Sequence, residues 1–328
     1  MQPLSEISVR DQLVERRRGL ELVSARVPKP ELTRLLEEVD AALEKLVVGS
    51  FGVCEGCGAA VEGARLLHYP MARNCLACLT PREQAALERD LKLAGEVQGA
   101  LLPKRHTRWR GWELHYHYQP LGVVSGDHCD LVARANTDER VFLVGDVSGK
   151  GIAASLLMSH LQALFRSLLE LELPLDELVS RANRLFSRTT LASSFATLVV
   201  GRLTGEGEVE LCNAGHCPVL LVQSQQVTPL TATGVPLGVT DDAVFELHRT
   251  RLDPEDMLFL FTDGLSEAPD GRNRQYGWQR LAPVLQRSLG AGARSTTEAC
   301  LADLAAFRNG APPTDDLTVM TIRRTDAL

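Results

Sequence analysis

The chain has 328 residues, 45% of them hydrophobic, enough for more than one domain and a sizeable core. Its 42 acidic residues outweigh 35 basic ones, and a net charge of −7 excludes a nucleic-acid binder that uses the whole chain. No apolar run approaches the roughly 18 residues of a membrane helix, and Met1-Gln2-Pro3-Leu4-Ser5-Glu6 lacks the basic start and apolar run of a signal peptide. The expected location is cytoplasmic, with no membrane partner.

In chain order, residues 4–25 and 31–48 read as helices. Leu32, Leu35, Leu36, Val39, Leu43, Leu46 and Val47 recur at three- and four-residue steps. Pro28-Lys29-Pro30 breaks the pattern, so a helical hairpin is expected, with apolar stripes suited to packing or dimerisation. Arg16-Arg17-Arg18 is expected to be a solvated face. Residues 49–79 form a Gly- and Cys-rich module, and residues 80–102 return to helix. Thr80-Pro81-Arg82-Glu83 supplies the N-cap, a Pro at the first helical position and a Glu three residues on; Pro103 ends the helix.

Of the eight cysteines, four fall in two tight pairs, Cys54-Glu55-Gly56-Cys57 and Cys75-Leu76-Ala77-Cys78, with seventeen residues between. A CxxC turn aims two thiolates at one point. Two such turns close a tetrahedral Cys₄ site with no open position, which fits one structural Zn²⁺. A pair of redox dithiols is the competing reading. Little apolar core is available here, so metal affinity would supply most of the folding free energy, on the order of 10 kcal/mol. Asp40 to Leu46, Phe51-Gly52-Val53-Cys54-Glu55-Gly56-Cys57-Gly58, Pro70 and the second CxxC resemble the TraR/DksA type of C4 zinc finger over residues 35–79. In that family the hairpin can enter the secondary channel of RNA polymerase through acidic residues at its tip. The tip here, Val27-Pro28-Lys29-Pro30, has no paired aspartates. A scaffold for sensing, dimerisation or partner docking is therefore expected, with a transcription regulator as the alternative.

Beyond residue 109 the texture changes. Strand-like runs lie at 112–118, 140–145, 195–203, 208–212, 218–222, 243–249, 257–262 and 317–323. Helical stretches are predicted at 151–171, 175–190, 277–288 and 296–308. Most strands follow one another through short turns, which favours an antiparallel arrangement with helices packed outside over a doubly wound parallel sheet.

Aspartates stand where these apolar runs give way to turns: Ser125-Gly126-Asp127, Gly145-Asp146-Val147-Ser148-Gly149-Lys150-Gly151, Thr262-Asp263-Gly264 and Asp315-Asp316-Leu317-Thr318. One Asp-Gly turn alone would be ordinary turn chemistry. Four, each at the end of a strand, can converge, and hard oxygen ligands gathered that way suit Mg²⁺ or Mn²⁺. The run ending at Lys150 is not a phosphate-binding P-loop, since Val144 and Gly151 occupy positions that need Gly and Ser or Thr. Gly149 and Gly151 are expected to allow close backbone approach. Ile152, Leu156, Leu157, Leu161, Leu164 and Phe165 are expected to form the next helix's apolar face.

Residues 90–324 resemble the SpoIIE/RsbU branch of PP2C-type (PPM) serine/threonine phosphatases. The matching segments are Ala94–Pro103, Ser125–Asp130, Asp146–Gly151, Phe195–Thr197, Asn213–Pro218, Gly234–Gly238, Thr262–Ala268 and Asp315–Thr318. Two departures are Ser125 for the family's Gly and His128-Cys129 for its Tyr-Tyr. The resemblance implies an α+β fold, an antiparallel β-sandwich with helices on both outer faces. It implies two Mn²⁺ or Mg²⁺ ions held by Asp127, Asp146, the Val147 carbonyl, Asp263 and Asp315. Asp146 would bridge the ions, Asp316 would rank behind Asp315, and Asp130 would lie just outside the ligands. Two ions about 3.5–4 Å apart can acidify a shared water for in-line attack on phosphorus. Cys129, Cys212, Cys217 and Cys300 then need not be nucleophiles, His128 suits packing, and His216 suits bracing its loop. The implied substrate is a phosphorylated regulatory protein, such as a STAS-type anti-sigma-factor antagonist, and a homodimer through the N-terminal and linker helices is expected. A catalytically weak partner-binding regulator is the other alternative. The expected division is a hairpin and zinc module at 1–79, a switch helix at 80–103 and the phosphatase domain at 104–328.

Overall fold

The computed structural model describes all residues except 1–9, 11–12, 15–16, 19, 22–29, 64–65, 67–69, 135–136, 191–193 and 327–328. It divides into two compact units, Met1–Asp90 and Leu91–Leu328. No helix among the described residues is long and apolar enough to cross a membrane.

In the first unit, α1 spans Pro30–Val47. Val39 and Ala42 on its buried face pack with Leu13 and Met71. Arg17 pairs with Asp40 at 2.7 Å. Arg17 and Arg18 are exposed as expected, while Arg16, most of the predicted first helix and the predicted turn at residues 27–29 lie outside the described residues. A second small cluster joins Cys54, Val61, Leu66 and Cys75. Helix α2, Pro81–Leu101, starts as the sequence predicts. The Thr80 amide donates to Glu83 Oε2 at 2.9 Å and the Glu83 amide to Thr80 Oγ1 at 3.3 Å, a reciprocal capping box.

The second unit is an antiparallel sandwich. Its strands are β1 (His106–Trp109), β2 (Trp112–Gln119), β3 (Asp127–Ala133), β4 (Arg140–Val147), β5 (Ala196–Leu203), β6 (Glu208–Ala214), β7 (Val219–Gln223), β8 (Gln226–Leu230), β9 (His248–Arg251), β10 (Met257–Phe261) and β11 (Leu317–Arg324). One sheet runs β1-β2-β11-β10-β7-β8 and the other β3-β4-β5-β6-β9. Helices α3 (Gly151–Leu168) and α4 (Leu175–Thr189) follow β4; the one-turn α5 (Asp263–Ser266) follows β10, and α6 (Leu281–Arg287) and α7 (Ala293–Arg308) precede β11.

Alternation along the strands builds the layers. On β4, Phe142 and Val144 turn inward and join Leu114, Tyr116, Leu258, Leu260 and Met320 between the sheets. Val141 and Leu143, one residue out of phase, pack outward against Met158 and Phe165 of α3 and Phe186 of α4. On the other side, Phe259, Phe261 and Val319 meet Leu281 and Leu285 of α6 and Cys300 and Leu304 of α7. Central strands are thus buried on both faces, which is why they read as continuous apolar runs. The predicted α-β-β-α architecture is what forms.

Three local expectations need correction. The predicted strand at 243–249 is a strand only from His248, as β9; Phe245 and Leu247 still join the core, but from irregular backbone. Ile152 and Leu156 of α3 are 51% and 65% exposed; Leu161 and Phe165 are buried and Leu157 and Leu164 pack against the core as expected, and Ala154, Met158 and Leu168 complete the buried face. Gly149 and Gly151 approach nothing, since a Cβ on either would meet no atom within 4 Å. They have φ of 103° and 71°, so glycine serves the left-handed turn into α3.

Candidate active site

The sandwich brings four strand ends to one edge. Asp127 opens β3 and lies directly across from Asp146 near the end of β4, which in turn faces Thr197 on β5. From the other sheet, β10 delivers Thr262 and Asp263, and Asp315-Asp316 lead into β11. Gly264 makes this approach possible: a Cβ there would lie 1.8 Å from the Asp316 carbonyl oxygen and 3.5 Å from Asp315 Cβ. Asp146, Asp263 and Asp315 line one cavity of about 380 Å³, with Val147, Lys150, Phe195 and His216 among its other walls.

Asp127 is placed differently from the other three. It is 1% exposed and absent from the cavity wall, and Thr262 Oγ1 donates to its Oδ2 at 2.8 Å. Asp316 braces the loop in front of β3: its Oδ1 accepts the Leu121 amide at 2.6 Å and its Oδ2 the Gly126 amide at 2.9 Å. Gln98 of α2 holds the same loop from outside. Its Nε2 donates to the Ser125 carbonyl at 2.7 Å, and its Oε1 accepts the Ser125 amide at 2.9 Å. Lys150 Nζ reaches Asp315 Oδ2 at 2.6 Å and the Thr314 carbonyl at 3.2 Å.

Two expected neighbours face elsewhere. Asp130 is out of phase with Asp127 on β3 and makes a two-point ion pair with Arg166 of α3, 2.7 Å on each oxygen, so it does not lie beside the ligand candidates. His128 shares that outer direction; it is buried, and desolvation pulls its pKa down to about 4, which keeps it neutral. His216 does reach the cavity. Its Nδ1 pairs with Thr197 Oγ1 at 2.8 Å, and burial likewise lowers its pKa to about 4. Cys129 is fully buried, with its thiol pushed well up by desolvation, and burial raises Cys217, on the cavity wall, to about 12. Neither is a thiolate at neutral pH.

The electrostatics favour a cation. Burial raises Asp146 to about 7, helped by the negative charges of Asp263 and Asp315. Asp263 is raised by burial and then by Asp315 and Glu267. Asp127 is raised well above the ordinary range by burial and by Asp146. Buried carboxylates this close to one another would be stabilised in their charged form by a cation that offsets both the desolvation and their mutual repulsion. The donor set fits a hard divalent ion, since all its members are oxygens. Room exists too: a Cβ on Gly126 would lie 3.2 Å from both Asp146 Oδ1 and the Val147 carbonyl oxygen, so glycine leaves those two oxygens clear.

The cysteines make a tighter cage. Among the described residues, Cys54, Cys57, Cys75 and Cys78 form the single group of three or more His, Cys, Asp or Glu whose ligand atoms all lie within 4.8 Å of one another. The aspartates surround a wider space than one such cage.

Two antiparallel sheets between helix layers, with an acidic cavity at one edge, define the class of PP2C-like folds. The chain belongs to the SpoIIE family: the model described as Stage II sporulation protein E (SpoIIE) matches residues 137–325, more than half of its length. Residues 49–84 match the prokaryotic dksA/traR C4-type zinc finger. Among curated relatives, the chain is 24% identical to Protein IcfG of Synechocystis sp. over 264 residues, 72% of this chain and 41% of that one. It is 26% identical to the phosphoserine phosphatase RsbU of Bacillus subtilis over 187 residues, 56% of this chain and 55% of that one. The chain thus spans about half the length of the curated relatives it matches. The solved SiaA-PP2C domain of Pseudomonas aeruginosa shares the fold, with a TM-score of 0.64 and 20% identity over 74% of this chain and 99% of that one.

Sequence patterns single out the aspartates but not all that holds them. Thr262 and Lys150 sit inside the motifs, where a signal existed, because each adjoins a strand end that carries a carboxylate. Gln98 lies in α2 inside the matching segment Ala94–Pro103, but nothing in the sequence marks it as the brace of the loop before β3.

Proposed function

We propose that this chain is a metal-dependent protein serine/threonine phosphatase acting on a phosphorylated regulatory protein, of the STAS-type anti-sigma-factor antagonist kind. The observation that carries the reading is the cavity shared by Asp146, Asp263 and Asp315, with the proton affinity of Asp146 raised to about 7. In this reading Asp127, Asp146, the Val147 carbonyl, Asp263 and Asp315 hold two Mn²⁺ or Mg²⁺ ions. Such ions supply the charge that acidifies water and offsets the phosphoryl oxygens. The protein's own groups do the rest. Thr262 fixes the Asp127 carboxylate, and Asp316 and Gln98 fix the loop in front of it. Lys150 brings a positive charge to the cavity wall beside Asp315, suited to a phosphate dianion. The neutral thiols at Cys129 and Cys217 leave water as the attacking group, without a cysteinyl-phosphate intermediate.

Among the relatives, RsbU of Bacillus subtilis is a phosphoserine phosphatase, which supports this reading. The test is release of phosphate from a phosphoserine protein, with and without Mn²⁺. Hydrolysis that requires the metal is expected; none at any metal concentration would end this reading.

We further propose that the four cysteines hold one Zn²⁺, that the zinc module regulates the phosphatase through α2, and that the chain is a homodimer. Helix α2 exposes Leu93 and Val97 by 59% and 57%, four residues apart on one face. Light scattering is expected to show the mass falling by half in Leu93→Asp; an unchanged mass would remove this helix from the interface.

A further inference from the structure

The cavity that holds the three aspartates has an uncharged side as well, made of Phe195, Gly215, His216 and Cys217. Phe195 is 42% exposed although it is aromatic and lines the cavity. Its backbone is fixed at two points to the motif loop: the Ser148 amide donates to the Phe195 carbonyl at 2.9 Å, and the Phe195 amide donates to Ser148 Oγ at 3.1 Å. Ser148 is two residues from Asp146, so the ring stands at a set position beside the carboxylates.

A second segment extends this side. Ala196 and Leu237 exchange both backbone hydrogen bonds, at 2.9 and 2.8 Å, so residues 195–197 and 236–238 run antiparallel alongside each other. Period-2 alternation then puts Phe195 and Pro236 on one face of the pair. Pro236 packs on Gly215, where a Cβ would come within 2.5 Å of the proline ring. The result is an apolar ledge of Phe195 and Pro236. It carries no charge and adjoins a cavity whose other side is made of carboxylates and Lys150.

We propose that this ledge selects the substrate: it takes an apolar side chain that flanks the phosphorylated residue, with Phe195 as the specificity-determining contact. The proposal rests on the phosphatase reading and deepens it. A phosphoryl group in this cavity, held by Lys150 and by the ions the aspartates would bind, would place the neighbouring residues of its chain at the cavity rim. One part of that rim is apolar and fixed. A polar residue set against Phe195 would lose water without gaining a partner, whereas a leucine or isoleucine would bury apolar area against the ring.

The test compares two phosphoserine peptides that differ only in carrying Leu or Gln beside the phosphoserine, hydrolysed with Mn²⁺ by the full chain. The wild type is expected to prefer the Leu peptide about tenfold in kcat/KM, the range one apolar contact supplies. Phe195→Ala should bring that ratio to about one, and Phe195→Leu should keep most of it. A ratio equal in the wild type and Phe195→Ala, or a preference for Gln, overturns the ledge alone. Absence of hydrolysis of both peptides and of p-nitrophenyl phosphate by the wild type overturns the ledge and the phosphatase reading together.

Discussion

Asp146→Asn is expected to lower phosphate release about a thousandfold, or about 4 kcal/mol of transition-state stabilisation, while making the metal-free protein more stable. Both effects follow from one side chain. Asp146 lies across from Asp127, lines the cavity with Asp263 and Asp315, and presents its Oδ1 towards Gly126, as the Val147 carbonyl does. Asparagine keeps the shape and one oxygen but loses the charge that holds a dication. The stability effect has a definite sign. Asp146 has its pKa raised from 3.8 to about 7 in the folded protein, first by burial and then by Asp263 and Asp315. Without metal, the folded state therefore binds more protons than the unfolded one between those limits. The contribution is full below the unfolded pKa and is lost as pH rises through 7. At pH 8 the uncompensated carboxylate costs at most about 4 kcal/mol, since neighbouring carboxylates share the repulsion. In excess chelator at pH 8, Asp146→Asn should melt several degrees above the wild type, and the gap should close towards pH 4. Adding Mn²⁺ should raise the wild type and barely move the variant. Equal stabilisation of both by Mn²⁺, or equal hydrolysis, would remove Asp146 from the metal site.

What the sequence made legible follows from what each strand buries. Strands β4, β5, β10 and β11 are covered on both faces, so their apolar runs are continuous and end sharply at Asp146, Asp263 and Asp315. Those ends mark the cavity directly. Strand β3 was not legible, because Asp127-His128-Cys129-Asp130 reads as polar. Its carboxylates tolerate burial only because Thr262 and Arg166 reach them from distant parts of the chain. The short edge strands β1 and β8 bury little and leave weak patterns. Helix α3 misled for another reason. Its apolar residues occupy more than one side, so periodicity cannot say that Ile152 and Leu156 face outward. Local pattern places a carboxylate at a turn; only cross-strand register shows that Asp127 backs onto Asp146 while Asp130 turns away to Arg166.

Removing the metal expected at the four cysteines should unfold residues 49–79 and leave the sandwich intact. The module's cluster beyond its sulfurs is little more than Val61 and Leu66, too small to offset the entropy of ordering thirty residues. Its order depends instead on thiols held close together. Cys57 Sγ and Cys75 Sγ are 3.7 Å apart, and the Cys75 amide donates to Cys54 Sγ at 3.2 Å. That amide leads in lowering the Cys54 pKa to about 6, whereas its sulfur neighbours raise Cys78 to about 12. Such a group gives up its remaining protons only to a cation that replaces them. Zinc binding to a Cys₄ cage then supplies on the order of 10 kcal/mol, nearly all of the module's folding free energy. Metal analysis should find one zinc per chain, and none in a Cys75→Ser, Cys78→Ser double variant. Hydrogen exchange in that variant should lose its protection across residues 49–79, while the amides of β4, β5, β10 and β11 remain protected. The two outcomes separate because the sandwich has three extensive apolar clusters of its own, within Leu91–Leu328. Protection that survived at residues 49–79 in a zinc-free variant would show that the small core suffices and that the cysteines are not its staple.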